Sequence, residues 1–483
     1  MFSLISPIKS KGPMTTIQWL KEEIDEFLQS EDRNFMLTGQ RYYEVDNDIF
    51  NRRITRVRKN GTQEEIKFKA NNKLAHGFYK NLVDEKVSYL LAKEYTLKSN
   101  NEQYIKEISS TVGKHFQDTL NELGYEASNK GIGWLHIFIN DEDEFDTMVI
   151  PSEQIIPLWK DKNHKELDRL IRLYDVVAYE GIRKKILTKI EVWYPDKVEY
   201  YIKDGENIIL DSEKYLDVKG SIGHYLKDDE WCAWGKIPFI PFKNNRIEKP
   251  DIKFIKSLID NYDSSRSDVA NFIDEVKNII FVLKGYGGED LEEFMDNLNY
   301  FRSICIDDPQ DGAVDTLTPK MDIEAIKIHC EQLKRDINEC GQGVSKDIDK
   351  FGSSPSGIAL KFLYSGIDLK CNSLEVLFKR AFEELLYFVN IYLSQCSNYT
   401  YDNDEVELIF NKNIKINESE TIDNCIKSKG IISNKTMRAN HPWIKDVKQE
   451  ENQINKEKQQ CETEFSKIVV PKEKMNDVNK KYL

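Results

Sequence analysis

The densest cluster of groups that could do chemistry is Asp307-Asp308-Pro309-Gln310-Asp311-Gly312. Carboxylates this close are raw material for a divalent-cation loop or a metal-dependent nuclease. As a calcium loop it fails, because Pro309 occupies the third position and Thr318 stands at the twelfth, where a bidentate glutamate is needed. A polar turn that carries partner contacts is the competing reading. Other chemistry is missing from the chain: there is no GxxxxGK[ST] loop, no HExxH and no GxSxG. The seven histidines are dispersed, and the eight cysteines (232, 305, 330, 340, 371, 396, 425 and 461) form no CxxC pair. No catalytic residue, metal ligand or cofactor is therefore expected. Scattered single thiols fit a reduced, intracellular protein.

The second charged stretch is Ser345-Lys346-Asp347-Ile348-Asp349-Lys350-Phe351-Gly352-Ser353-Ser354-Pro355, which mixes two cations with two anions before a Gly/Ser/Pro run. Helices must hold it on both sides. Upstream, Asp322 to Cys340 places Ile323, Ile326, Cys330, Leu333, Ile337 and Cys340 on one narrow seam at alternating spacings of three and four. Downstream, a helical pattern runs from Ile358 to Cys396, with a kink expected at Ser365-Gly366. Taken alone, this stretch reads as a buried helical hairpin. A partner for the first helix begins after Pro250: Ile252, Ile255, Ile259 and Tyr262 continue to Val269, Phe272 or Ile273, and Val276. Its polar interval Asp263–Asp268 breaks the stripe. Some 25 residues make a rod of roughly 40 Å. Between the two helices lies a small α/β unit, with strands at Ile279–Leu283, Ile304–Ile306 and Ala313–Leu317 and a helix at Leu291–Phe301.

The rest of the chain alternates helical and extended regions. Thr15 and Gln18 form a capping box ahead of Leu20, Ile24 and Leu28. A further helix holds Arg41-Tyr42-Tyr43, and the basic run Arg52–Arg58 ends in a turn at Lys59-Asn60-Gly61. Asn71-Asn72-Lys73-Leu74 is read as opening the helix that continues through Phe78, Leu82, Val83, Val87 and Leu90. Residues 131–245 are β-rich, with strands at Gly133–Ile139, Thr147–Ile150, Arg169–Val177, Thr188–Tyr194 and Lys197–Ile202. Acidic Asp141-Glu142-Asp143-Glu144 is the turn after the first of these strands. Ile414–Trp443 suggests two short helices about Lys429-Gly430, without the basic recognition helix of a DNA-reading helix-turn-helix.

At 483 residues the chain has room for two to four domains. Its 83 acidic residues outnumber 69 basic ones, for a net charge of −14, the wrong sign for a static grip on nucleic-acid phosphates. No 18-residue apolar stretch could span a bilayer, and the first residues lack the charged region of an export signal.

Several of these stretches together resemble bacteriophage portal proteins of the SPP1-like (Gp6-type) family, over roughly residues 35 to 460. The resemblance is carried by Tyr42-Tyr43 with Asp48-Ile49, Asn71–Leu74, Val83–Leu90, Pro157, Trp234 with Ile237-Pro238-Phe239, and Leu258–Asp263. Its most specific parts are Phe351-Gly352 with Ser356–Lys361, and Gly430–Ser433 with Thr436 and Pro442. It implies a portal-type α+β fold, mostly helical, in a ring of about twelve subunits around a DNA channel at one capsid vertex.

On that resemblance residues 1–245 are the wing, 246–278 and 321–341 the two stem helices, and 279–320 the clip. Residues 342–357 are the tunnel loop, 358–399 the kinked helix, 400–470 the crown and 471–483 a disordered tail. Ile255, Ile259 and Tyr262, with Ile323, Ile326, Cys330, Leu333 and Ile337, become packing between subunits. Asp307, Asp308, Gln310 and Asp311 become the docking tip for the terminase motor. Ser345 to Pro355 become the collar nearest the duplex. The implied partners are the terminase large subunit, a head–tail adaptor, the major capsid and scaffolding proteins, and double-stranded DNA passing irrespective of sequence. The implied place is the virion, after assembly in host cytoplasm, with no membrane involved. A non-enzymatic conduit is thus expected; a nuclease using Asp307, Asp308 and Asp311, or a non-viral helical scaffold, are the alternatives.

Overall fold

The computed structural model describes residues 15–58, 61–66, 69–215, 222–275, 280–284, 313–317, 322–344, 357–396, 406–412, 418–444 and 447–468. The chain is mixed α/β with open antiparallel sheets, and about half of the described residues are helical. It divides into two compact units, residues 1–345 with 366–413, and residues 346–365 with 414–483.

The first unit begins with α1 (Thr16–Gln29), where Thr15 and Gln18 close the capping box. Its apolar face, Leu20, Ile24 and Phe27, packs on a five-stranded sheet of β6 (Ile155–Trp159), β7 (Leu167–Glu180), β8 (Arg183–Trp193), β9 (Val198–Asp204) and β10 (Asn207–Leu210). These strands run in sequence order as an antiparallel meander, and Ile171, Ile190 and Val192 supply the covered face. A three-stranded sheet places β4 (Ile132–Ile139) between β5 (Phe145–Ile150) and β13 (Phe239–Lys243). Its core is aromatic: Trp134, Trp193 and Phe239 are buried together.

Helices α4 (Glu102–Val112) and α5 (Phe116–Lys130) pack on the three-stranded sheet, and α2 (Glu31–Tyr43) and α3 (Phe78–Leu91) pack on α5. Helix α3 starts at Phe78, not at Asn71 as the sequence suggested. The reason is nonlocal. The Asn72 and Leu74 amides donate to the side chains of Asn271 and Ser267, at 2.6 and 3.0 Å, which holds the segment extended.

Helices α6 (Ile252–Glu275) and α7 (Ile323–Cys340) pack against each other, and the 40-residue α8 (Gly357–Cys396) follows. From Ile367 on, α8 buries Cys371, Leu374, Phe378, Phe382, Leu385, Val389 and Leu393, a helical stripe that faces the core of the first unit. The helix is continuous from Gly357 to Cys396, with Ser365-Gly366 inside it. A Cβ on Gly366 would sit 3.3 Å from the Gly343 carbonyl oxygen, so the glycine permits close approach to the turn after α7.

Strands β14 (Ile280–Lys284) and β15 (Ala313–Leu317) pair antiparallel, and β3 (Thr96–Lys98) pairs with β16 (Glu407–Ile409). In the second unit lie α9 (Glu418–Lys427), α10 (Asn434–Ala439) and α11 (Val447–Ile468). Ser433 caps α10 by accepting the Thr436 N–H at 3.1 Å, and Arg438 reaches Glu451 at 3.3 Å.

Candidate functional site

Helices α6 and α7 carry most of the residues the sequence singles out. Ile255, Ile259 and Tyr262 of α6 are buried, as are Cys330, Leu333 and Ile337 of α7. Ile326 is half-buried, whereas Ile323 and Cys340 are exposed. Tyr262 meets His76 and Phe78 edge-on, with ring centroids 4.8 and 4.9 Å apart. Phe254 and Ile273 on α6, and Ile323 and Ile328 on α7, remain about half exposed, so the pair leaves apolar surface uncovered within one chain.

Beyond Tyr262 the buried face of α6 turns polar. Asp263, Ser267 and Asn271 occupy the positions that face inward, while Ile273 is exposed and Val269 and Phe272 are half-buried. The apolar stripe expected to continue through Val269 does not govern this half, and Val276 lies outside the described residues. Each polar group has a partner on residues 42–76. Asn47 Nδ2 donates to Asp263 at 2.6 Å, and His76 Nδ1 lies 2.7 Å from the other oxygen of the same carboxylate. Arg52 pairs with Asp268, and Tyr42 donates to Asp260. Lys256 joins Asp48 and Asp260 at 2.6 and 2.7 Å. Burial raises the Asp263 carboxyl above its usual range, against the hydrogen bonds from Asn47 and His76.

At the other end of α6 lies a charged joint. Asp251 receives Lys86 Nζ at 2.9 Å and Lys370 Nζ at 3.0 Å on one oxygen, and Asn244 Nδ2 at 2.9 Å on the other. Lys86 also donates to Asn244 Oδ1, and Lys370 donates to the Gly341 carbonyl at 2.9 Å. One carboxylate thus ties α3, the start of α6, the turn after α7 and α8. Burial would raise the Asp251 carboxyl, but the Lys370 and Lys86 ammonium groups hold it well below the usual range. Burial pushes Lys86 down from its ordinary value, with the second ammonium acting in the same sense.

Neither cluster emerged from the sequence, although a signal existed for one. Lys86 sits at helical spacing from the buried Leu82, Val83 and Leu90, on the apolar face of α3. The residues expected to form a tunnel loop, Ser345, Lys346, Asp347, Asp349, Lys350, Phe351, Gly352, Ser353, Ser354 and Pro355, lie outside the described residues. So do Asp307, Asp308, Gln310 and Asp311, of which only the flanking strand pair β14–β15 is described. Among the described residues, no three His, Cys, Asp or Glu side chains converge as a metal ion would require, and no helix is long and apolar enough to cross a membrane. What the two clusters do chemically is hold helices. They join neutral and charged groups in fixed register.

Comparison with known proteins places this arrangement. Residues 26–464 match the family described as phage portal protein, SPP1 Gp6-like. The portal protein of Bacillus phage SPP1 is 32% identical over 429 residues, covering 88% of this chain and 84% of the relative. The portal protein of Clostridium phage phiCD119 is 31% identical over 443 residues, covering 88% of this chain and 93% of the relative.

Proposed function

The chain belongs to the SPP1 Gp6-like family of phage portal proteins, and we propose that about twelve copies close into a ring whose bore carries the phage genome into and out of the capsid. The observation that carries this reading is the family match over residues 26–464, which takes in both compact units. The half-exposed Phe254, Ile273, Ile323 and Ile328 support it, because a head-to-tail ring gives paired helices a second neighbour to pack on.

In this reading residues 1–245 form the wing, and 246–278 with 321–341 form the stem around the bore. Residues 279–320 form the clip, which meets the terminase large subunit through Asp307, Asp308, Gln310 and Asp311 and later the head–tail adaptor. Residues 342–357 form the collar nearest the duplex, 358–399 the long helix, and 400–470 the crown. Lys346 and Lys350 make exchangeable phosphate contacts there, and Asp347 and Asp349 keep them weak. A net charge of −14 suits such a conduit, since strong phosphate contacts would arrest a sliding duplex. The ring lends no catalysis of its own: ATP chemistry belongs to the motor that docks on it. Capsid and scaffolding proteins contact the wing and crown as the shell assembles in host cytoplasm.

Negative-stain microscopy of the purified full chain tests the reading. Closed rings with a central hole are expected; a field of particles the size of one chain at micromolar concentration overturns it.

A further inference from the structure

Two adjoining clefts of about 860 and 510 Å³ share Arg246 and Ile247 as lining. Their floor is unusually apolar for open surface, with Ile247, Phe254, Leu369 and Val376 all half exposed or more. Leu369 and Val376 lie two helical turns apart on α8, so they form one stripe. The rim is basic. Lys162, Lys165, Arg246 and Arg380 are exposed there, and none makes an ion pair with a carboxylate among the described residues.

The acidic groups nearby are largely spent. Glu248 takes Lys243 at 2.8 Å and His164 at 2.6 Å, and Glu375 takes Lys379 at 3.1 Å. Asp161 accepts three backbone N–H groups of its own loop. Burial raises the Glu384 carboxyl against the opposing charges of Lys236, Arg380 and Lys243, and Glu383 stands exposed at the edge.

The complementary feature lies at the other end of the same sheet. The β4–β5 turn presents Asp141, Glu142, Asp143 and Glu144, all exposed and none in an ion pair among the described residues. Asn140 builds the turn by accepting the Glu142 and Glu144 N–H groups, each at 2.9 Å, so the carboxylates themselves are not used in holding it. Register fixes the separation. Lys243 of β13 pairs with Ile132, at the start of β4, and the turn follows Ile139, at its end. Seven strand residues span roughly 23 Å. Helix α8 gives the same measure: Phe378 meets Phe242 near the cleft and Tyr392 meets Phe145 beside the turn, and fourteen helical residues rise about 21 Å.

Four unpaired cations and four unpaired carboxylates at opposite ends of one rigid element are what a heterologous, head-to-tail contact requires. We propose that the Asp141–Glu144 turn of one copy docks in the Lys162/Lys165/Arg246/Arg380 cleft of the next copy around the ring. The inference rests on the ring reading above and adds to it which surfaces meet.

The test is a charge swap in the full chain. One variant carries K162E, K165E, R246E and R380E, the second D141K, E142K, D143K and E144K, and the third all eight changes. Ring formation is followed against protein concentration by mass photometry at low salt. Each four-residue reversal is expected to raise the concentration for half-assembly by about tenfold, and the eight-residue variant to return to within about twofold of the parent. Mixing an E142C chain with an R246C chain, both with the exposed Cys340 and Cys396 replaced by serine, supplies a second reading that needs no reversal: a cross-link expected in the mixture and in neither chain alone. Parental protein that forms no rings refutes the ring reading itself. Parental rings with unaffected reversals, no rescue, or no mixed cross-link overturn this contact. Loss of duplex retention in the cleft variant with assembly unchanged would assign the cleft to phosphates, and would also overturn it.

Discussion

Two buried carboxylates bracket the first half of α6 and behave in opposite ways. Asp251 is 7% exposed and held well below the usual carboxylate range; Asp263 is fully buried and raised above it. Burial acts in the same direction at both. The difference is in what faces them. Asp251 meets two ammonium groups, while Asp263 meets an amide and an imidazole. The first is a charge lock that joins four segments of the fold. The second is a polar seat whose partners do not require its charge. A helix can be anchored either way, but only the lock depends on ionisation.

The largest expected effect comes from opening the lock. Asp251→Asn leaves the buried Lys86 and the partly buried Lys370 ammonium groups without a counter-charge and should destabilise the chain by about 3–5 kcal/mol in urea unfolding. An effect no larger than that of a surface change would mean the joint is hydrated rather than locked. Ile259, fully buried between the two carboxylates, calibrates the scale. Ile259→Ala should cost about 3 kcal/mol through lost burial and cavity formation. Asp263→Asn should cost only about 1 kcal/mol, since an amide keeps one acceptor for Asn47 or His76. If it matches Asp251→Asn, the two sites are alike and the contrast fails.

The pH dependence separates them by sign. The depressed Asp251 carboxyl contributes stability that is present above its unfolded value of 3.8 and lost as pH falls through the lower folded value. Between pH 7 and 5 that contribution should not change. Asp263, raised in the fold, penalises the folded state above its folded pKa, and the penalty is relieved as pH falls toward 3.8. Parental protein should therefore gain stability relative to Asp263→Asn on mild acidification; a flat difference curve would remove the case for a raised carboxyl. The smallest effect is expected at the exposed cleft, where Arg380→Ala should shift folding stability by less than about 0.5 kcal/mol.

Much of this architecture was legible in the chain. The capping box at Thr15, the strands of 131–245, both paired helices and the reach of α8 to Cys396 all follow from periodicity and turn residues. What was not legible depends on partners far away in sequence. Asn72 and Leu74 look like a helix start until Asn271 and Ser267 take their amides. The stripe from Val269 to Ile273 looks like a continued seam, because polar residues on a helix normally read as its solvated face. Lys86 sits among apolar positions of α3, but reading it needed Asp251 and Lys370, which periodicity cannot bring together. The charges in Ser345–Pro355 and Asp307–Asp311 were readable as sequence, but the described structure does not reach them.

The proposed function rests on the chain closing on copies of itself around a bore. Native mass spectrometry of the purified full chain, without DNA and at neutral pH, measures that directly. A dominant species of about twelve chains, with no ladder of smaller open assemblies, is the predicted result. A spectrum of monomers and dimers at micromolar concentration would contradict it.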